Sequence, residues 1–465
     1  MLTVERFEAD GNWLKSSSPL VTHSLVWSAV VALVFGFASV SLATSELASE
    51  MPGTSPAAQG VSVERLKRLD DLAQHYVDEN RVSGMVNVVL RNGQVIYAKA
   101  TGHRSLERKE PLQVSDLFRI YSMTKPITAV AAMQLYEQGK FHLDDPVAKF
   151  LPELADLKVL NEHGRLVAPM RPITMHHLLT HTAGFSYGFV PQVDAIDAQY
   201  VAADLWASEN LDEFAERVGK LPLRFEPGSQ FFYSIAVDLT GLVVQRISGM
   251  PFNEYLARNI FEPLGMRNTF FQVPRNKRAR FLLNYYFDAD TGQPVNVENA
   301  PSPGGARKNV AMQDYADVGL YSGGGGLVST AADYARFAEA MRNGGEYLGQ
   351  RILSPKTITY MAANHLPAGV GMPAFGEEPG AEPRDIGLGF GLGFGVVTDP
   401  VAGHVIGSAG EYNWGGSAGT VFWIDPVEEL VVVSMIQLMR SPWPLRSDLK
   451  VAVYQALDDV YESAP

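Results

Sequence analysis

The stretch MVNVVLRNGQVIYAKA, residues 85–100, predicts the type of fold. Two runs rich in β-branched residues flank the dipeptide Asn92-Gly93, which favours the two-residue turn of a β-hairpin. Strand signals of the same kind return near the other end of the chain, at residues 394–397, 420–424 and 430–434. We therefore expect one antiparallel sheet built from both ends of the chain.

Helical patterns surround these strands. Ser62 has the residue type of an N-cap, and apolar residues then recur at helical spacing at Leu66, Leu69, Ala73 and Tyr76. A final helix is expected at about residues 447–461. The predicted fold class is α/β (α+β): an antiparallel sheet flanked by helices, formed by residues 62–135 and 322–465, with an inserted, mainly helical domain at residues 136–321.

Two glycine-rich segments need an interpretation. Residues 387–395 (GLGFGLGFG) alternate glycine with large apolar residues, which predicts a strand with one bare face. The glycine run at 323–326 is not followed by the Gly-Lys-Ser/Thr that a phosphate-binding loop needs, so a flexible turn is the favoured interpretation.

The composition excludes several classes of protein. The chain has 465 residues, of which 46% are hydrophobic, enough for two or three domains with sizeable cores. A net charge of −13 without a long Lys/Arg run argues against a nucleic-acid partner. The absence of cysteine excludes disulfides, thiolate nucleophiles, iron–sulfur clusters and thiolate zinc sites.

The N-terminal segment predicts export. Residues 24–43 form an uncharged stretch of twenty residues, which is long enough to cross a bilayer. The stretch ends on a small-x-small pattern typical of a cleavage site, so residues 1–43 are either a signal peptide or a membrane anchor. No Lys or Arg follows the stretch before Arg65, so the remainder of the chain is expected on the periplasmic side. It is either released into the periplasm or anchored to the membrane and facing the periplasm. Residues 44–61 are small and polar and predict a linker.

One candidate nucleophile is Ser186, at the centre of a G-x-S-x-G pattern. A nucleophile elbow requires a strand before the serine, whereas residues 174–182 have a helical pattern, so a glycine-rich turn is favoured. His177 and His181 are four apart on this predicted helix, which is compatible with metal binding. Structural histidines are favoured because no Glu lies between the two and no cysteine is present.

Two S-x-x-K patterns supply the other serine candidates, at Ser122-Lys125 and Ser447-Lys450. A Ser at a helix start and a Lys one turn later share a face, so the ammonium approaches the hydroxyl. The helix N-terminus also favours a developing oxyanion. Ser447 begins the last predicted helix, where serine is an ordinary N-cap. Ser122 follows a short apolar run and precedes an apolar helix with Pro126 in its first turn, so Ser122 is the favoured nucleophile.

Together with other segments, this pattern resembles the serine β-lactamase and penicillin-binding-protein superfamily, in particular class C β-lactamases and the esterases built on that fold. The resemblance covers about residues 62–462 and implies a β-lactamase/transpeptidase-like fold. Five segments carry it, and along the chain they follow the family's order. They are the S-x-x-K at Ser122, the approach to a Tyr-x-Asn motif at 226–235 (EPGSQFFYSI), the scaffold segments 178–184 (LLTHTAG) and 322–330 (SGGGGLVST), and, at the place of the Lys-Thr-Gly strand, 410–419 (GEYNWGGSAG).

The departures from the family pattern concern the substrate. Ile235 stands where the family has the Asn of Tyr-x-Asn, and Trp414 stands where it has the Lys that attracts a substrate carboxylate. Apolar groups thus replace an amide and a cation, and Trp414 offers an apolar wall beside Gly415 and Gly416. The resemblance is therefore closest to the family's esterases, although plain core packing of Trp414 stays open.

The resemblance implies acyl transfer through a covalent serine ester. Ser122 is the nucleophile, and Tyr233, whose phenolate the Lys125 ammonium stabilises, exchanges the proton, with the roles of Lys125 and Tyr233 shared or interchanged. The oxyanion hole is the backbone N–H of Ser122 and that of Ser417, and the expected partner is a small-molecule ester. No metal and no cofactor are required.

Two other functions stay open. One is a β-lactamase, a D-Ala-D-Ala-type carboxypeptidase or a D-aminopeptidase that uses the same site. The other is a catalytically silent binding protein of the same fold, against which the presence of Ser122, Lys125 and Tyr233 argues.

Overall fold

A computed structural model describes residues 51–161, 163–297, 314–373 and 386–461. Residues 1–43, predicted as a signal peptide or anchor, lie outside them. In the described residues, no helix combines the length and the apolar character that crossing a membrane requires. The α-helices there are α1 (Val63–Asp78), α2 (Thr124–Glu137), α3 (Met175–Leu179), α4 (Ala195–Ala202), α5 (Leu211–Val218), α6 (Ala236–Ser248), α7 (Phe252–Leu256), α8 (Ala331–Arg342), α9 (Pro355–Met361) and α10 (Leu445–Tyr454).

Sixteen strands occur in the same part of the chain. They are β1 (Gly84–Arg91), β2 (Gln94–Gly102), β3 (Phe118–Arg119), β4 (Val159–Leu160), β5 (Leu166–Val167), β6 (Tyr285–Asp288), β7 (Gln293–Asn296), β8 (Val328–Ser329), β9 (Glu346–Tyr347), β10 (Gln350–Arg351), β11 (Leu388–Phe390), β12 (Gly395–Val397), β13 (Tyr412–Gly415), β14 (Val421–Asp425), β15 (Leu430–Met435) and β16 (Leu438–Met439).

The main sheet contains seven strands in the order β11-β12-β13-β14-β15-β1-β2, and every neighbouring pair is antiparallel. The prediction of one sheet built from both chain ends is therefore confirmed. Asn92 and Gly93 connect β1 to β2 with φ values of 52° and 73°, the pair of positive values that a type I′ turn requires.

Both faces of this sheet are covered, because alternate residues of a strand point to opposite sides. Val86, Val88 and Leu90 of β1 belong to the main core, which also contains residues of α2, α6 and α8. Met85 and Val89 belong to a second core, formed with α1 and α10. The main core continues into helices of the predicted insertion, such as α5, and the division into domains stays a prediction.

Residues 51–61, the described half of the predicted linker, pack against the sheet. Thr54 N–H donates to the carbonyl of Val95 at 3.0 Å, and Val95 N–H donates to the carbonyl of Pro52 at 2.8 Å. Met51 is buried in the main core. This short segment extends the edge at β2, and the assignment of residues 44–61 as a linker stays a prediction.

Three predicted elements have different bounds in the structure. Residues 387–395 form a hairpin of β11 and β12 rather than one strand, and Gly393 in its turn has a φ of 97°. The predicted helix at 174–182 ends at Leu179, since His181 has a φ of 54°. The last helix, α10, is shorter than predicted and has Pro444 as its N-cap, so Ser447 lies inside its first turn and does not cap it.

Candidate active site

Ser122 lies in a 3₁₀ turn, Tyr121–Met123, that leads directly into α2. Tyr121 has a φ of 42°, and a left-handed conformation at a non-glycine residue typically costs about 1–3 kcal/mol. Two hydrogen bonds hold this turn. Asn284 Nδ2 donates to Tyr121 Oη at 2.9 Å, and Tyr334 Oη donates to the carbonyl of Met123 at 2.9 Å. The strained backbone therefore presents Ser122 in a fixed position at the start of a buried helix.

Lys125 is completely buried one turn after Ser122. Its Nζ donates to Ser122 Oγ at 3.3 Å and to the carbonyl oxygen of Gly324 at 2.7 Å. The ammonium also faces two aromatic rings, with Nζ 4.4 Å from the centroid of Tyr233 and 5.2 Å from that of Tyr187. Cation–π attraction at such distances stabilises a desolvated ammonium. The structure thus brings Ser122, Lys125 and Tyr233 together.

Tyr233 is half-buried in a group of aromatic rings. Trp414 Nε1 donates to Tyr233 Oη at 3.3 Å, and the centroids of these two rings are 5.5 Å apart. The ring of His181 lies 4.7 Å from that of Tyr233, and the ring of Phe189 lies parallel to it at 6.4 Å. The phenol oxygen therefore has an indole N–H as a donor on the side where the family pattern has a lysine.

His181 fixes the segment that carries Tyr233. The backbone N–H of Ser234 donates to His181 Nδ1 at 3.2 Å, and the N–H of Phe232 donates to the carbonyl of His181 at 2.9 Å. Complete burial, assisted by the charge of Lys125, lowers the pKa of His181 well below its usual range. The neutral imidazole of His181 therefore accepts a hydrogen bond on one flank of Tyr233, and the backbone carbonyl of the same residue accepts one on the other flank.

His177 does not share a helix face with His181, because α3 ends between the two residues. The N–H of Thr174 donates to His177 Nδ1 at 3.2 Å, which closes the cap of α3. Burial lowers the pKa of His177 to about 4. Among the residues that the structure describes, no cluster of three or more His, Cys, Asp or Glu side chains is arranged to hold a metal ion.

The glycine-rich turn that begins at Ser322 is buried and tightly held, so the prediction of a flexible turn is wrong. The N–H of Gly324 donates to Asp238 Oδ1 at 2.9 Å, and the hydroxyl of Ser322 donates to the same oxygen. Thr128 Oγ1 donates to the carbonyl of Gly323 at 2.8 Å. A Cβ on Gly324 would lie 2.3 Å from Asp238 Oδ2, which explains the need for glycine beside the carbonyl that binds Lys125.

The Trp-Gly-Gly segment ends β13 beside the segment that leads to Ser122. A Cβ on Gly416 would lie 2.4 Å from the carbonyl oxygen of Ile120, and a Cβ on Gly415 would lie 2.4 Å from a guanidinium nitrogen of Arg446. Both glycines therefore permit close approaches. Ser417 is exposed in the turn that follows, and its predicted role in an oxyanion hole stays a prediction.

Two residues singled out from the sequence have packing roles. Ile235, predicted to contact substrate, is 0% exposed in the main core at the start of α6, so its side chain is not accessible to a ligand. Ser186 is also completely buried; its hydroxyl donates to Asp197 and accepts the N–H of Gly188 at 3.0 Å. The G-x-S-x-G pattern thus marks a structural turn, with the serine bonded to a carboxylate of α4.

Sequence reasoning missed Asp238 and the positioning contacts of His181. Asp238 lies in the first turn of α6, where an acidic residue is an ordinary complement to the helix dipole. Its relation to Lys125 runs through Gly324, which is distant in sequence from both residues, so no local signal could have revealed it.

Comparisons with known proteins show the family to which the chain is similar. The model of the Beta-lactamase family matches residues 69–456. Esterase EstB of Burkholderia gladioli is 33% identical over 400 residues, covering 83% of this chain and 94% of that protein. Lovastatin esterase of Penicillium rubens is 31% identical over 420 residues, covering 84% of this chain and 98% of that protein. The solved structure of EstCE1, a hydrolase with promiscuous acyltransferase activity, has a TM-score of 0.69 and 29% identity, covering 84% of this chain and 99% of its own.

Proposed function

We propose that this chain, which belongs to the Beta-lactamase family, is a serine hydrolase that cleaves carboxylic esters of small neutral molecules. The single observation that carries this proposal is the hydrogen bond from Trp414 Nε1 to Tyr233 Oη, 3.3 Å long. It puts an uncharged aromatic wall at the proton-transferring group, where the family pattern has a cation. The names of the two esterase relatives support the same substrate class.

The reaction starts with attack of Ser122 Oγ on the ester carbonyl carbon. The hydroxyl proton passes to Tyr233 or Lys125, the two groups that the family pattern assigns to proton transfer, and then to the leaving alcohol as the C–O bond breaks. Water then attacks the resulting acyl-serine ester, and its proton passes through Tyr233 or Lys125 to Ser122 Oγ. The carboxylic acid leaves and Ser122 regains its proton.

The negative charge on the tetrahedral intermediate needs backbone donors. We assign them to the N–H of Ser122, at the start of α2, and the N–H of Ser417, after the Trp-Gly-Gly segment. Loss of one such donor typically costs about 2.7–4 kcal/mol of transition-state stabilisation. The close approach of Gly416 to the carbonyl of Ile120 supports this arrangement, because it keeps the two segments adjacent.

One observation favours a second candidate, hydrolysis of β-lactams or peptides with a free carboxylate. Arg446 lies beside Gly415, and burial lowers the pKa of this guanidinium to about 10, which leaves it charged at neutral pH. A cation near the Trp-Gly-Gly segment could pair with a substrate carboxylate. Trp414 argues against this function, because an anion against an indole loses hydration without gaining a partner.

A substrate panel separates the two candidates. Purified enzyme is tested with p-nitrophenyl acetate and butyrate, a chromogenic cephalosporin and a D-Ala-D-Ala peptide, with Ser122→Ala as the control. Ester turnover at least a hundredfold above that of the other two supports an esterase. Fast turnover of the cephalosporin or the peptide without ester cleavage would reject it in favour of the second candidate.

We also propose that residues 1–43 direct export, as a signal peptide or an anchor, from the uncharged run at 24–43. Fractionation of cells that express the chain with and without residues 1–43 tests this. Equal amounts of both forms in the cytosol would contradict it.

A further inference from the structure

A buried carboxylate, Asp238, lies behind Lys125 and is 1% exposed. Three donors surround it. The N–H of Gly324 donates to Oδ1 at 2.9 Å, the hydroxyl of Ser322 donates to the same atom, and Tyr187 Oη donates to Oδ2 at 3.3 Å. Burial raises the pKa of Asp238, and the charge of Lys125 together with these donors opposes that rise. A set of three donors favours the ionised form.

Gly324 connects this carboxylate to Lys125. Its N–H donates to Asp238, and its carbonyl accepts from Lys125 Nζ at 2.7 Å. The same residue thus contacts the anion with one backbone group and the cation with the other. Because a Cβ on Gly324 would meet the carboxylate, the turn and Asp238 fit only in this arrangement.

Lys125 needs a negative charge nearby, because an ammonium without compensation is costly to bury. The titratable groups that face it are Tyr233 and Tyr187, whose rings it contacts, and His181 and Asp238, with which it interacts through its charge. The low pKa of His181 leaves that ring neutral, and burial keeps Tyr187 protonated by raising its pKa. Asp238 is the carboxylate of this group.

We propose that Asp238 is a positioning residue that sets the charge state of Lys125 and orients it through Gly324. The inference rests on the proposed function, since it concerns the same proton-transfer site. Asp238 does not touch the reacting atoms; it stabilises the ammonium form and holds the Gly324 carbonyl that directs Nζ towards Ser122.

Asp238→Asn tests the charge while it keeps the shape. The amide oxygen still accepts from Gly324 and Ser322, and the amide nitrogen faces Tyr187 Oη, which has lone pairs to accept. Without the negative charge, the ammonium of Lys125 loses its proton at lower pH. If the ammonium is the active form, the alkaline limb of the pH profile of kcat/KM moves to lower pH. If the neutral amine is active, the acid limb moves to lower pH instead. We expect a shift of about one pH unit or more in either case.

Ser322→Ala is the matched control. It removes one hydrogen bond from Asp238 and keeps the charge, so both limbs should stay within about 0.3 pH units of wild type. A folded Asp238→Asn variant with unmoved limbs would show that Asp238 only anchors the glycine-rich turn, and would overturn the proposal.

A stability cycle covers the case in which Asp238→Asn alone does not fold. Lys125→Met leaves the carboxylate without its cation, so the double variant Lys125→Met/Asp238→Asn should unfold at a higher urea concentration than Lys125→Met. A double variant that is less stable than Lys125→Met overturns the proposal. The rate at which a fluorophosphonate labels Ser122 gives a second pH profile. It tests Asp238 even if the enzyme proves not to hydrolyse esters.

Discussion

The two S-x-x-K segments of this chain differ in what surrounds their lysines. Lys125 is completely buried, and its direct hydrogen-bond acceptors are the Ser122 hydroxyl and a backbone carbonyl. Lys450 is almost as buried, but it forms a salt bridge with Glu411. Tyr454 Oη also donates to that carboxylate, at 3.1 Å.

This difference decides which lysine is available for chemistry. In the Lys450 pair, burial lowers the pKa of the lysine and raises that of Glu411, and their mutual attraction opposes both shifts. The ammonium of Lys450 is committed to a carboxylate, while Ser447 is exposed on α10. The counter-charge of Lys125 is Asp238, which does not contact the ammonium directly because Gly324 lies between them. The ammonium can therefore donate a hydrogen bond to Ser122. The pattern is shared, but only the first segment has the surroundings of a nucleophile.

The largest expected effect distinguishes Ser122 from the other two candidate serines, Ser447 and Ser186. Ser122→Ala should lower kcat/KM for p-nitrophenyl butyrate by about 10⁴-fold or more, because the reaction loses its nucleophile. Ser447→Ala and Ser186→Ala should keep most of the activity. The measurement is initial rate together with fluorophosphonate labelling. A Ser186→Ala variant that is folded but inactive would show that the nucleophile is Ser186, in the G-x-S-x-G pattern, and not Ser122.

The second effect concerns the lysines. Lys450→Met should lower the free energy of unfolding by about 3–5 kcal/mol, because it leaves Glu411 buried without its cation. The activity per folded molecule should not change. Urea denaturation measures the loss, and Lys450→Met/Glu411→Gln should recover part of it. Lys125→Met should abolish turnover. Equal loss of activity in Lys450→Met would mean that α10 takes part in the reaction.

The elements predicted best are those whose signals are local. Asn92-Gly93 favours one turn type at one position, and the structure has that turn. Ser62 caps α1 as expected, accepting the N–H of Arg65 at 3.2 Å. The run of β-branched residues in β1 predicts a strand, and its complete burial results from helices that pack on both faces of the sheet.

The errors arise where distant contacts decide the conformation. Gly393 turns the chain where a Cβ would lie 2.4 Å from Ala129 of α2, and no local pattern reveals that approach. At the candidate site, helical spacing alone relates Ser122 to Lys125. Tyr233 required the family resemblance, and Asp238 required the structure, since only the fold brings the turn at Gly324 between Asp238 and Lys125.

The third prediction compares two tryptophans on neighbouring strands. Trp414→Phe removes the donor to Tyr233 Oη and keeps an aromatic wall, so kcat/KM for neutral esters should fall by roughly five- to tenfold, the value of one hydrogen bond. Trp423 lies under Lys450, with Nζ 5.2 Å from its ring. Trp423→Phe should lower stability without changing kcat/KM. Unchanged kinetics for both variants would show that the indole N–H of Trp414 does not assist Tyr233.

The smallest effect is expected at Ser447 itself. Pro444 is the N-cap of α10, so the hydroxyl of Ser447 is not needed to cap the helix, and alanine has the higher helix propensity. Ser447→Ala should therefore change the free energy of unfolding by no more than about 0.5 kcal/mol. Ser62→Ala is the control, because Ser62 does cap α1 and its loss should cost about 1 kcal/mol. Both are measured by urea denaturation at the same pH. If Ser447→Ala costs as much as Ser62→Ala, then Ser447 stabilises the start of α10, and the second S-x-x-K pattern has a structural use in addition to its buried lysine.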